Sequence, residues 1–170
     1  MDFNSVHLSS DSLVLFSQES VFELENHLGT IMPLGYQEFM TTLGLGILND
    51  TIRVYSPNRI GREYKTTQER WREFYFWGEG SDVLTKERVL ESIIVADTGN
   101  GDEVIFHPSI PKKLYLLPAN DHKILEIGSS LSEAIDWMLH WEKLFGEDEE
   151  DEDPRPAGVY FEPFHMQDNQ

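Results

Sequence analysis

The sequence predicts an α+β domain in which N-terminal helices and a C-terminal helix pack on a mainly antiparallel sheet. Three observations carry this. Apolar residues recur at helical spacing through the first third of the chain. Four short runs with strand character follow between residues 92 and 127, separated by breaks rich in Gly, Pro, Asn and Asp. A capped amphipathic segment then closes the pattern. Evenly spaced strands without intervening long helices point to a meander rather than to βαβ units.

In chain order, residues 1–16 read as a loosely tied lead-in. Ser17 suits the cap of a helix reaching Leu28, with Val21, Leu24 and Leu28 on one face and Gly29 as its stop. Pro33 suits the first turn of a second helix, whose apolar stripe is Tyr36, Phe39, Met40 and Leu43. Gly44 and Gly46 break it. The β-branched run 51–55 reads as a strand ended by Pro57. Helical spacing returns over 58–77 through Ile60, Tyr64, Trp71 and Phe74 or Tyr75.

Segment 58–77 and its neighbour Arg53 are locally basic, with Arg59, Arg62, Lys65, Arg70 and Arg72 against Glu63, Glu69 and Glu73. A solvated amphipathic helix accounts for that pattern, since the rest of the chain opposes a polyanion. Residues 86–91 add one short helical turn. The strand runs are 92–96, 103–107, 113–117 and 123–127. The last helix starts at Ser129 or Ser130 and ends near Leu144, with Glu133 completing a capping box. Leu131, Ile135, Met138 and Trp141 form its inward stripe. Residues 1–146 are thus one domain, 147–158 an acidic flexible linker, and 159–170 an aromatic tail that folds back or docks on a partner.

Composition narrows the function. The 170 residues carry a formal charge of −18 and no cysteine, which excludes a disulfide framework, a thiol nucleophile and a cysteine-bound zinc. Nine of the 31 acids and one of the 13 bases lie beyond Gly146, leaving 22 against 12, or −10, on the domain. Such a surface repels nucleic acid and favours a basic protein partner. No apolar run approaches the ~18 residues that span a bilayer. The first twelve residues carry no signal-peptide pattern, so a cytoplasmic location is expected.

The stretch 95–104, Val-Ala-Asp-Thr-Gly-Asn-Gly-Asp-Glu-Val, advertises chemistry. Asp97-Thr98-Gly99 resembles an aspartic-protease motif, but that reaction needs two carboxylates sharing a proton. One such motif per chain demands a symmetric dimer acting through Asp97. The glycine-rich part precedes a strand rather than a helix, and Asp97, Asp102 and Glu103 repel phosphate. Those acids and Asn100 also lack the register of a calcium loop. Asn100-Gly101 fits a two-residue type I′ hairpin turn, with Gly99 adding a bulge. The six histidines form no metal-like pair, His107 and His122 included. Trp137 and Trp141 read as packing. No Gly-x-Ser-x-Gly elbow is present. No cofactor, metal or catalytic set is expected.

Several stretches in order are similar to the SUKH superfamily, the Smi/Knr-like proteins. These are a helix ending in Leu28-Gly29, a second helix carrying Pro33, Tyr36 and Phe39, and a glycine-rich exit. The turn Gly99-Asn100-Gly101-Asp102 between strands and the closing helix with Leu131, Ala134, Ile135 and Trp137 complete the pattern, over residues 18–145. The resemblance implies a central sheet with packed helices and a non-enzymatic role. It implies a bacterial immunity protein that neutralises a toxin, such as a basic nuclease, by occluding it, or alternatively a regulatory scaffold like the fungal members. The matched residues shape the fold and transfer no binding site. For the partner surface, charge and aromaticity single out Asp148, Glu149, Glu150 and Asp151 with Tyr160, Phe161 and Phe164.

Overall fold

The structure is a computed structural model, and it describes residues 1–145 and 158–164. Its chain order begins with a 3₁₀ turn at Phe3–Ser5 and strand β1 (His7–Leu8), then helices α1 (Gln18–Leu28) and α2 (Tyr36–Thr42). A hairpin of β2 (Gly46–Leu48) and β3 (Ile52–Val54) leads into the long α3 (Pro57–Glu73) and short α4 (Lys86–Glu91). Strands β4 (Ile93–Thr98), β5 (Glu103–Phe106), β6 (Leu114–Leu117) and β7 (Leu125–Gly128) follow, then α5 (Leu131–Phe145) and β8 (Tyr160–Pro163). Among the described residues these strands form one sheet ordered β1-β8-β2-β3-β4-β5-β6-β7. Only β1 with β8 is parallel, so the fold is α+β with a mainly antiparallel sheet.

Local chemistry accounts for the helices. Ser17, Ser56 and Thr85 each accept a backbone N–H with their hydroxyl at the start of α1, α3 and α4, which satisfies a donor the helix leaves unpaired. Pro57 follows its cap at the first helical position. Pro33 does not play that part in α2. It is buried, and its carbonyl accepts from Tyr36 N–H in a turn before the helix begins after Gly35. At α5, Ser130 Oγ accepts the Glu133 N–H at 3.2 Å, while Glu133 Oε2 accepts from the Ser129 N–H at 2.8 Å and the Ser129 hydroxyl. The capping box is formed with its return bond moved one residue back.

The lead-in is part of the core rather than loosely tied, and the tail takes the fold-back course. Phe3 is buried and meets Phe39 edge-on at 5.2 Å. Tail strand β8 lies inside the sheet, parallel to β1 and antiparallel to β2, with Leu48 opposite Phe161. Phe161 is fully buried and meets Phe39 at 6.0 Å. Gly46 is required beneath it, because a Cβ there would lie 2.3 Å from the Phe161 ring. The domain therefore extends through residues 159–164. The linker 147–157 and the side chain of Trp141 lie outside the described residues.

The β4–β5 loop also differs in form. Gly101 N–H donates to Thr98 O at 3.0 Å and Thr98 N–H to Asp102 O at 2.9 Å, enclosing a three-residue loop. Gly101 has φ 91°, whereas Asn100 does not enter the left-handed region. The arrangement is a turn closed by a left-handed glycine, not a type I′ turn. Consecutive positive φ angles occur instead at Asn49 (45°) and Asp50 (57°), between β2 and β3.

Two outcomes follow for stability. Phe161→Ala removes a buried ring shared by strand and helix and should cost about 3–5 kcal/mol in denaturant unfolding. The two hydrogen bonds from Ser129 hold the Glu133 carboxyl below its ordinary value of 4.5. Its folded-state value is depressed, so its stabilisation is present above 4.5 and disappears as pH falls through the folded-state value. Urea midpoints should therefore fall more steeply below that pH in the native chain than in Glu133→Gln.

Candidate functional site

Residues paired across neighbouring strands share a face of the sheet. Arg53 is opposite Asp97, and Asp97 is opposite Glu103, so three charged side chains form one row beneath α3. Two adjacent carboxylates repel each other, and both are about 9% exposed. Burial of such charges requires pairing. Arg53 donates Nε and Nη2 to the two oxygens of Asp97 at 2.8 and 2.7 Å, and the Tyr55 hydroxyl donates to Oδ2 at 2.9 Å. Glu103 accepts from Trp71 Nε1 at 2.7 Å and from Arg70.

The surroundings shift the neighbours accordingly. Burial pushes the Tyr55 hydroxyl well above the usual tyrosine range, and the Asp97 charge adds to that. The hydrogen bond to Asp97 pushes the Arg53 guanidinium up. Arg59 stacks 3.4 Å over the Tyr55 ring and lies 4.0 Å from Asp97. The basic character of α3 is therefore more than a solvated face: Arg70 pairs with one sheet carboxylate and Arg59 approaches the other.

Asp102 also turns inward. Its Oδ2 accepts from the Thr98 hydroxyl at 2.8 Å and its Oδ1 from Ala119 N–H at 2.9 Å, tying the β4–β5 loop to the loop after β6. His107 is buried between Glu91 and Ser109, and His122 bonds the Phe76 carbonyl. Among the described residues no group of three or more His, Asp or Glu is placed to hold a metal. Nor is any helix long and apolar enough to cross a membrane.

The family-like positions serve the fold. Tyr36 is fully buried, and its hydroxyl donates to Tyr55 O at 2.7 Å. Phe39 and Pro33 are buried, Leu28 is half-buried, and Gly29 caps α1. Gly99, Asn100, Gly101 and Asp102 make the loop just described.

Of the expected partner-binding residues, the structure describes Tyr160, Phe161 and Phe164. Phe161 is a core residue and cannot anchor a partner, because strand alternation turns it inward while Glu162 is exposed. Tyr160 is half-buried and bonds Asp50 through its hydroxyl. Phe164 is half-buried, with its N–H donating to Leu45 O at 3.0 Å. Asp148, Glu149, Glu150 and Asp151 lie outside the described residues.

Sequence reasoning missed a set of exposed apolar side chains. Phe22 on α1 is 61% exposed, and Ile31 and Leu34 after it are 60% and 74% exposed. Glu25 accepts the Met32 N–H at 2.8 Å, which lays this loop against the helix that carries Phe22. The signal was present: Phe22 falls off the Val21-Leu24-Leu28 stripe, and Ile31 and Leu34 flank the buried Met32-Pro33 pair. Comparison with known protein families finds no match, and no curated protein is significantly similar.

The charged row can be tested directly. Glu103→Gln keeps an acceptor for Trp71 and should cost about 1 kcal/mol, whereas Glu103→Ala strands the indole N–H and should cost about 3 kcal/mol. Equal losses in urea titrations would show that the pairing contributes little.

Proposed function

We propose that this chain is a non-enzymatic protein-binding module of SUKH-like kind, which neutralises a basic toxin such as a nuclease by occluding it. The observation that carries this reading is the exposed set Phe22, Ile31 and Leu34 on a chain of charge −18. Long-range charge steers a basic partner inward, and desolvated apolar side chains hold it. The acids that suggested catalysis have other work. Both oxygens of Asp97 accept hydrogen bonds from Arg53 and Tyr55 between two neighbouring strands. That arrangement speaks against sharing a proton with a second carboxylate.

A pull-down from the native organism at graded salt tests the proposal. It should recover one basic protein, in salt-sensitive yield, whose toxicity co-expression of this chain suppresses. Phe22→Asp with Leu34→Asp should reduce recovery by about tenfold or more, as expected for apolar anchors, without lowering the melting temperature. Recovery of only abundant housekeeping proteins at every salt would sink the idea. A regulatory enzyme as the specific partner, with no protection from a toxin, would indicate a scaffold instead.

A further inference from the structure

A second feature is opposite in charge to the acidic exterior. Between the start of α3, the end of β3 and the side chains of Phe16, Leu45 and Phe164 lies a cleft of about 230 Å³. Among the described residues its lining includes Arg53, Arg59 and Arg62 and no carboxylate, in a chain with 31 acids and 13 bases. Among the described residues the acids that partner these arginines are Asp97, whose side chain in the sheet row is 12% exposed, and Glu63. Three guanidinium groups against two carboxylates leave one positive charge in excess.

We infer that this cleft binds a small organic oxyanion, a carboxylate or phosphate carried on a short apolar body. Arg53 directs Nε and Nη2 to Asp97, and Arg59 directs Nε to Glu63 at 3.0 Å. Each guanidinium has five N–H donors, so donors remain to fork onto an oxyanion. Ser56 and Asn58, at the start of the 17-residue α3, also line the cleft. The helix dipole therefore adds positive potential at the same place.

The remaining wall is apolar and backbone-fixed. Phe16 N–H donates to Met40 O and Phe164 N–H to Leu45 O, both at 3.0 Å. Arg59 is braced flat against Tyr55. The volume lies below the roughly 300–1,000 Å³ usual for drug-sized ligands, which suits a small acid rather than a dinucleotide.

An amide-resolved NMR titration of the full chain with phenyl phosphate, phenylacetate and inorganic phosphate tests the assignment, with phenylethylamine as the cationic control. Saturable shifts at Asn58, Arg59 and Phe164 are expected with an anion and not with the amine. The two phenyl anions identify whether phosphate or carboxylate is preferred. Arg62→Glu, at a side chain 71% exposed, should weaken binding about tenfold or more, the effect of one charge-assisted hydrogen bond. Phe164→Ala should weaken the phenyl anions and leave inorganic phosphate unchanged. No localised shift up to about 10 mM, a concentration that would reveal even millimolar affinity, would overturn the inference. So would shifts spread equally to Lys65 and Arg72, or an Arg62→Glu variant that binds as well as the native chain.

Discussion

Two carboxylates, Asp97 and Glu103, are side by side in the middle of the sheet, and the arrangement above them answers that charge. Arg53 comes from the neighbouring strand, and Arg70 and Trp71 come from the far end of α3. Unpaired, two adjacent buried acids would oppose folding by several kcal/mol. Paired, they fix where α3 lies across β3, β4 and β5. Trp71 is itself 1% exposed, so its indole N–H needs the Glu103 acceptor as much as Glu103 needs a donor. Tyr36 extends the same logic to α2 by donating to the backbone of Tyr55.

The same helix separates two kinds of surface. Its far end is committed to Glu103, and its start opens on the arginine-lined cleft. Phe22, Ile31 and Leu34 are apolar and exposed in an acidic chain. An oxyanion in the cleft and a basic protein on those apolar side chains would thus be recognised by opposite charge rules within one domain. Nothing in this arrangement requires the two to compete.

Much of the fold was legible from local chemistry. Helices α1, α4 and α5 and the strands β3 to β7 follow from spacing, caps and β-branched runs, because each depends on neighbours a few residues away. The site was less legible. Arg53, Asp97 and Glu103 are distant in sequence, and only strand register sets them in a row. The same stretch that resembled a protease motif is a fixed turn of the meander, since its three acids each find internal partners.

By itself the sequence determined the α+β class, the capped helices, the meander and the acidic balance, all of which follow from composition and short-range periodicity. The tertiary structure decided that Phe3 and Phe161 pack on the same Phe39, and that a tail strand sits between the first strand and β2. It also decided that Arg70 reaches Glu103, while Arg53 both neutralises Asp97 and lines a cleft. The physical reason is the same in each case. A strand edge accepts any segment that satisfies its hydrogen bonds, and a buried charge any opposite charge within reach. Only the closed fold, which brings residues 8, 48 and 161 together, selects among them.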